Sequence, residues 1–402
     1  MTNIAILGLG VVGGGVADLI TKNSSEVKKL GGNDINIKYI LDLRDFPNSP
    51  YGDRVVHDYN IILSDPEVDC VIEVMGGSHP AYEYTVMALK AGKNVITSNK
   101  EVVANYGDEF LRLAEENGVC YRFEASVGGG IPVISPMISL INQNKISEVR
   151  GILNGTTNYI LTKMFSLGDS FENALADAQA RGYAERNPDA DILGIDACRK
   201  IAILASLVTG KLIPTDKIHT EGITKIRKED VIASEKVGLK IKLLGRAIIG
   251  EGGISIMVAP FMIGSGSPLS TVSGVYNAVE VIGEPLGSVM FYGQGAGAGA
   301  TASAVVGDLM QIMRSKRVCA QPEMVKTAEG VCDFSGFESQ SYLAISGVTK
   351  KTAISILGDL QIISEGDELA VITKKMSEGD TLLAIDALTQ RGAEIKSRIR
   401  LI

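Results

Sequence analysis

The chain has 402 residues, room for two or three domains, and its 45% apolar and 21% charged residues are the balance of an ordinary globular protein. A formal net charge of −8, with both signs mixed along the chain, excludes the basic stripe of a nucleic-acid binder, so any anionic ligand needs a local site. Five widely spaced cysteines (Cys70, Cys120, Cys198, Cys319, Cys332) form no CxxC pair, which predicts buried reduced thiols and argues against zinc or redox chemistry. No apolar run reaches membrane-spanning length and no leader precedes the first strand, so a soluble, cytoplasmic protein without membrane partners is expected.

Ile4–Leu7 reads as a strand and Val12–Lys22 as a helix. Strands follow at Ile37–Leu41, Cys70–Val74 and Asn94–Thr97, and helices at Tyr82–Ala91 and Glu109–Asn117, closed by Gly92 and Gly118. Such alternation predicts an α/β nucleotide-binding domain over residues 1–130, a Rossmann-type doubly wound parallel sheet completed by a segment near 300–325. After Gly128-Gly129-Gly130-Ile131-Pro132 the texture becomes α+β, a second domain over residues 131–300. Helices at Tyr159–Ser166, Phe171–Ala180 and Asp196–Val208 mix there with strands at Glu148–Leu153, Ala247–Ile249 and Ile254–Ala259. The glycine-rich stretch Gly293–Gly299 leads into a helix, Ala302–Met313. From about Ser341 the tail reads strand, short apolar segment, strand (Leu369–Lys374), helix (Thr381–Gln390), strand (Ile395–Ile402). That pattern suits a small ferredoxin-like βαββαβ domain over 341–402 with its first helix clipped.

Gly8-Leu9-Gly10-Val11-Val12-Gly13 fits GxGxxG, directly after the first strand and opening a helix. The first glycine allows the tight turn, the second lets backbone approach a pyrophosphate, and the third lets helix and strand pack closely. The helix N-terminus offers N–H groups and partial positive charge to phosphates. At the end of the second strand, Asp42 and Asp45 suit a ribose 2′-hydroxyl, whereas Arg44 suits a 2′-phosphate. Because Arg44 lies just past the strand, the reading leans to NADP over NAD.

Two further segments carry chemistry. In Ile96-Thr97-Ser98-Asn99-Lys100, Lys100 falls beyond the carboxyl end of a parallel strand, where open α/β sheets bind ligands. In the second, Gly182-Tyr183-Ala184-Glu185 precedes Asp191 and a helix on which Asp196 and Lys200, four residues apart, share one face.

Here the sequence resembles the homoserine dehydrogenase family. The matching stretches are GLGVVG, VIEVMGG, ALKAGKNVITSNKEVVA, FEASVGGGIPVI, GILNGTTNYILTKM, GYAERNPDADILGIDACRKIAILA and YGQGAGAGATASAVVGDL, in the family's order. The resemblance implies an NAD(P)-dependent oxidoreductase acting on a CH–OH group, L-homoserine against L-aspartate 4-semialdehyde, in threonine, methionine and isoleucine biosynthesis. It implies Lys200 as proton donor and acceptor, with Lys100 as a second lysine beside cofactor and substrate. Gly182, Glu185, Asp191 and Asp196 become substrate contacts, and Gly8, Gly10, Val11, Val12, Gly13, Arg44, Gly76, Ser98, Lys100 and Gly295 cofactor contacts. A structural sodium ion is implied at Glu124 and the carbonyls of Val127, Gly129 and Ile131. So is a homodimer or higher homo-oligomer assembled through the middle domain, and an ACT-type tail. The chemistry agrees: a substrate ammonium calls for carboxylates, and oxidising a hydroxyl calls for a positioned acid/base.

The tail departs from the ACT pattern, because Val348-Thr349-Lys350-Lys351-Thr352 replaces the Asp-x-x-Gly opening of the first helix, so threonine feedback is not expected. Two alternatives compete. An aspartate-semialdehyde dehydrogenase needs a nucleophilic cysteine, and Cys198 inside a helix is a poor place for a thiolate. A non-catalytic cofactor-binding sensor needs neither Lys100 nor Lys200. His57, His79 and His219 show no metal spacing, and Asn154-Gly155-Thr156 matches a glycosylation sequon without meaning in an unsecreted chain.

Overall fold

The computed structural model describes residues 1–314, 322–327 and 330–402. The chain divides into two compact units. Met1–Asn144, Ala202–Thr215 and Gly293–Ala328 form the first; Lys145–Ile201, Asp216–Tyr292 and Glu329–Ile402 form the second.

The main sheet of the first unit holds six strands, β1 (Thr2–Leu7), β2 (Ile35–Leu41), β3 (Val55–Val56), β4 (Cys70–Glu73), β5 (Asn94–Thr97) and β6 (Tyr121–Arg122). They are ordered β3-β2-β1-β4-β5-β6 and every pair is parallel. This is the Rossmann order, with its switch point between β1 and β4. Ile4, Ile6, Ile40, Ile72 and Ile96 are fully buried under the helices, each burial contributing on the order of 1.5–3 kcal/mol. The helix Ala298–Arg314, distant in sequence, packs Val305 and Leu309 into the same core as Val16, Ala17 and Ile20 of the helix Val11–Lys22. A Cβ on Gly15 would lie 3.2 Å from the Ala298 carbonyl, so glycine there sets how closely these two helices approach. The helix expected at Glu109–Asn117 starts at Lys100 and ends at Glu116, because Asn99 accepts from the Glu101 and Val102 N–H groups and so caps it.

The second unit is built on one mixed sheet. Its middle strands, Lys145–Ile152, Leu239–Gly250 and Gly253–Gly264, pair antiparallel. The hairpin Leu239–Gly264 is much longer than the expected Ala247–Ile249 and Ile254–Ala259. Residues on both faces of its strands are buried, which erases the alternation that marks a strand in sequence. The tail runs βαββαβ: Glu338–Ser346, the helix Lys350–Leu357, Leu360–Ser364, Leu369–Thr373, the helix Glu378–Thr389 and Glu394–Leu401. Its last strand lies beside its first, and its third strand separates the first from the second. The first helix is present, short but capped by Thr349, whose hydroxyl accepts from the Thr352 N–H. The last strand joins Gly253–Gly264 in parallel, with Phe261 opposite Arg400 and Met262 opposite Leu401, so the tail extends the unit's own sheet.

Cys70, Cys198 and Cys332 are free thiols, but Cys120 is disulfide-bonded, which corrects the expectation of reduced thiols throughout. Spacing along a chain cannot reveal a pairing that only folding creates. Cys319 lies outside the described residues. No helix among the described residues is long and apolar enough to cross a membrane.

Candidate active site

In the first unit the glycine loop follows β1. Gly8 sits at φ +102°, and a Cβ on Gly13 would fall 1.9 Å from the Gly8 carbonyl, so helix and strand touch through backbone. A Cβ on Gly10 would meet nothing within 4 Å, and the helix it begins has no side-chain cap, leaving Val11 and Val12 N–H groups at an open N-terminus. Such an end suits a pyrophosphate. Gly76, at φ +81°, follows β4 and also borders open space. Beneath it the fully buried Glu73 accepts from the Met75 N–H (2.8 Å) and the Thr97 hydroxyl (2.6 Å). Burial pushes its carboxyl up, against those two hydrogen bonds. Ser98 and Lys100 stand at the end of β5, Lys100 in the first turn of its helix.

At the end of β2, Asp42 accepts from the Leu9 N–H of the glycine loop (2.9 Å). Arg44 turns back to donate to both Asp42 oxygens, at 3.0 and 3.1 Å, and lies over the Phe46 ring. Chiefly through Arg44, the Asp42 carboxyl is held down at about 2. His57, which no sequence pattern marked, places Nδ1 2.7 Å from the Asp42 carbonyl and Nε2 3.0 Å from Asp45. It reaches this corner from the end of β3, fifteen residues away in sequence.

Glu124 is buried, and its carboxylate accepts from three successive N–H groups, Val133 (2.6 Å), Ile134 (2.7 Å) and Ser135 (2.8 Å), at the start of the helix Ile134–Ile141. A carboxylate has about four acceptor positions, so one is left. Among the described residues no hydrogen bond reaches the carbonyls of Val127, Gly129 or Ile131. Gly128 and Gly129, both at positive φ, shape that turn, and a Cβ on Gly129 would strike the Gly295 carbonyl at 2.5 Å. One carboxylate position and three open carbonyls are a donor set of hard oxygens, which fits a cation such as sodium.

In the second unit the turn Asp189–Ile192, then Gly194 at φ +83°, feeds the helix Ile195–Thr209. That path brings Asp191, Asp196 and Lys200 together. Lys200 Nζ donates to Asp196 Oδ2 (2.7 Å) and to the Leu153 carbonyl (2.9 Å), and both side chains are buried. An ammonium carries three donors, and among the described residues the third has no partner. Asn154 donates to Asp191 Oδ1 (2.7 Å) and Asp196 Oδ2 (2.9 Å). Burial pushes the Asp191 carboxyl up. Glu185 is not drawn into this cluster: it is exposed, and among the described residues only its carbonyl is hydrogen-bonded, by Gln179. Gly182, at φ +74°, turns the same exposed segment. Asn154 is the residue that sequence reasoning passed over, read only as part of a sequon.

Comparison with known proteins is consistent along the whole chain. The family model for homoserine dehydrogenase matches residues 132–310, and that for its NAD-binding domain matches residues 8–124. The homoserine dehydrogenase of Pseudomonas aeruginosa is 37% identical, over 97% of this chain and 92% of that protein. That of Synechocystis is 35% identical, over 99% of each. Among solved structures, a homoserine dehydrogenase from Thiobacillus denitrificans superposes with a TM-score of 0.91 at 32% identity, covering 100% of this chain and 98% of that one. A hyperthermophilic archaeal homoserine dehydrogenase mutant in complex with NADPH has a TM-score of 0.66 at 30% identity, covering 77% of this chain and 97% of that one. With both family models matched and relatives of this identity aligned end to end, the chain belongs to the homoserine dehydrogenase family.

Proposed function

We propose that this NAD(P)-dependent homoserine dehydrogenase moves the proton of its reaction through Lys200. The reaction interconverts L-homoserine and L-aspartate 4-semialdehyde, a step of amino-acid biosynthesis towards threonine, methionine and isoleucine. When bound, the nicotinamide takes or supplies the hydride. The observation that carries the reading is the buried Nζ of Lys200, held by Asp196 and the Leu153 carbonyl with one N–H left over. That N–H protonates the aldehyde oxygen in reduction, leaving the neutral amine, and it is this amine that receives the hydroxyl proton in oxidation. Asp191 and Asp196 face the substrate ammonium, with Glu185 and Gly182 closing on the substrate from the exposed turn. Lys100, at the end of β5, serves as the second lysine of the reaction and as a cofactor contact.

For the cofactor we favour NADP. Arg44 is exposed at the rim, free to turn from Asp42 to a 2′-phosphate, and the archaeal relative carries NADPH. Phosphates rest on Gly10, Val11, Val12 and Gly13, with Gly8, Gly76, Ser98 and Gly295 shaping the surround. Glu124 and the carbonyls of Val127, Gly129 and Ile131 would hold sodium, which fixes that turn. The βαββαβ tail is assigned as an ACT-type module. Assembly as a homodimer, in the cytoplasm, completes the reading; the sheet of the second unit ends on open edge strands, which favour pairing. The test is nicotinamide absorbance with L-homoserine and each of NAD and NADP, for wild type and Lys200→Ala. The variant is expected to lose about a hundredfold or more in kcat with little change in cofactor affinity. A wild-type kcat would remove Lys200 from the chemistry.

A further inference from the structure

The apolar run Cys70-Val71-Ile72 of β4 ends on an acid, Glu73, which is fully buried. Burying a carboxylate costs free energy that only hydrogen bonds offset, and an apolar side chain of similar volume fills such a position at less cost. Glu73 stands directly opposite Thr97, the last residue of the neighbouring parallel strand β5. Its Oε1 accepts from the Met75 N–H at 2.8 Å and its Oε2 from the Thr97 hydroxyl at 2.6 Å.

The bonds continue into a ring. The Thr97 oxygen accepts from the Asn99 N–H (2.9 Å), and Asn99 Nδ2 donates to the Gly77 carbonyl (2.7 Å), from which the chain returns through Gly76 to Met75. The Asn99 amide has one orientation, because its Oδ1 accepts from the Glu101 N–H (3.2 Å) as the cap of the helix Lys100–Glu116. A backbone tie joins the same loops, the Ser98 N–H donating to the Glu73 carbonyl at 3.3 Å. The two turns that follow β4 and β5 are thus braced against each other by Glu73, Thr97 and Asn99, all buried. Gly76 and Gly77 themselves take φ +81° and +72° and border open space, since a Cβ on either would meet nothing within 4 Å. Two successive left-handed glycines have little conformational preference of their own, so the shape of their turn comes from these bonds.

We infer that Glu73 is a positioning residue for the nicotinamide cofactor: through Thr97 and Asn99 it holds the Gly76–Gly77 turn to the start of the helix carrying Lys100, so that this edge of the site is already formed when the cofactor arrives. The inference rests on the assignment of Gly76, Ser98 and Lys100 to the cofactor. A preformed edge spares the two turns an ordering cost on binding and keeps the nicotinamide in one pose for hydride transfer.

Glu73→Gln and Thr97→Val open the ring with almost no change in volume. In the first, an amide N–H faces the Thr97 oxygen and the Thr97 hydrogen loses its acceptor; in the second, Glu73 and the Asn99 N–H each lose a partner. The probe is whichever of NADH and NADPH the wild type binds more tightly, followed by its fluorescence on the free enzyme. Each variant is expected to raise that Kd roughly tenfold and to lower kcat roughly tenfold, with the homoserine KM at saturating cofactor near wild type. The double variant should be about as impaired as the poorer single one, because both break one ring. Thr97→Ser keeps the hydroxyl and should recover most of the loss. A merely structural role lowers the thermal midpoint and leaves the Kd and kcat of folded molecules alone. Wild-type Kd and kcat in folded Thr97→Val, additive losses in the double variant, or Thr97→Ser as impaired as Thr97→Val would overturn the inference. If Glu73→Gln does not fold, the two Thr97 variants decide. Ser98→Tyr measured alongside separates the two failures: if it binds cofactor weakly while the ring variants bind as wild type, only Glu73 is misassigned. If Ser98→Tyr binds as wild type, the cofactor does not lie on this edge and the site reading itself falls.

Discussion

The second unit buries charge in two places and balances it differently. Around Lys200, the ammonium donates to Asp196 and the neutral Asn154 amide bridges Asp196 and Asp191. In the tail the fully buried Arg400 donates to Glu378 at 2.7 and 2.9 Å and to Glu221 at 2.8 Å twice, while Arg398 and His219 add a donor to each carboxylate. Every charge there has an opposite partner, and the guanidinium fork is matched oxygen by oxygen. Around Lys200, by contrast, the third N–H of the ammonium has no protein partner among the described residues. The tail cluster ties the last strand to the segment holding His219 and Glu221, whereas the Lys200 cluster keeps a donor in hand.

Breaking the tail cluster should give the largest loss of stability. Arg400→Leu takes the guanidinium from the half-exposed Glu221 and from the buried Glu378, which keeps only Arg398, and breaking such a buried pair costs about 3–5 kcal/mol. Urea unfolding should show this as a lower midpoint, with kcat of the molecules still folded close to wild type. A proportional loss of kcat at full foldedness would mean that the tail cluster also serves the site.

Acid should then separate the two clusters without any substitution. Burial raises the Asp191 carboxyl, so its charged form, which the proposed ammonium contact requires, is lost as pH falls through a value above the ordinary aspartate one. Burial alone would raise Glu221 too, but His219 and Arg400 hold it below the usual range. Its contribution to stability is thus fully present above the ordinary glutamate value and is lost only as pH falls through its lowered one. The midpoint of kcat/KM for homoserine should lie at higher pH than the midpoint of acid unfolding followed by circular dichroism. Coincident midpoints would show that the site has no acid limb of its own.

These contrasts mark what the sequence could reveal. The glycine loop and the Asp196–Lys200 spacing are local, and local spacing survives in sequence because a turn or a helix is made of neighbours. Asn154 meets Asp191 and Asp196 from 37 and 42 residues away, and Arg400 meets Glu221 from 179 residues away. No periodicity encodes such meetings. The long hairpin Leu239–Gly264 was legible only in its most apolar part, and the helix beginning at Lys100 only in its second half, where its pattern is cleanest. His57 and the disulfide at Cys120 were hidden for the same reason as Asn154.

The smallest effect is expected at the far end of the tail, where millimolar L-threonine should leave the rate unchanged. An effector site at the first strand–helix turn of this βαββαβ tail would need open backbone to hold an amino acid. Gly347 does supply a positive φ there, +80°, contrary to the expectation of a turn without glycine. But it is spent on packing, because a Cβ at that position would lie 2.3 Å from the Gly392 carbonyl. The next donors are also committed: the Thr349 hydroxyl accepts from the Thr352 N–H, and Lys350 reaches Glu365 at 3.7 Å across the groove. What remains is a shallow surface lined by Thr349, Lys350, Lys351, Ile354 and Glu365, with one apolar side chain. Such a surface leaves little for a small zwitterion to gain over water. Initial rates with and without L-threonine at subsaturating homoserine decide the matter, and strong inhibition would show that the tail senses ligands as well as extending the sheet.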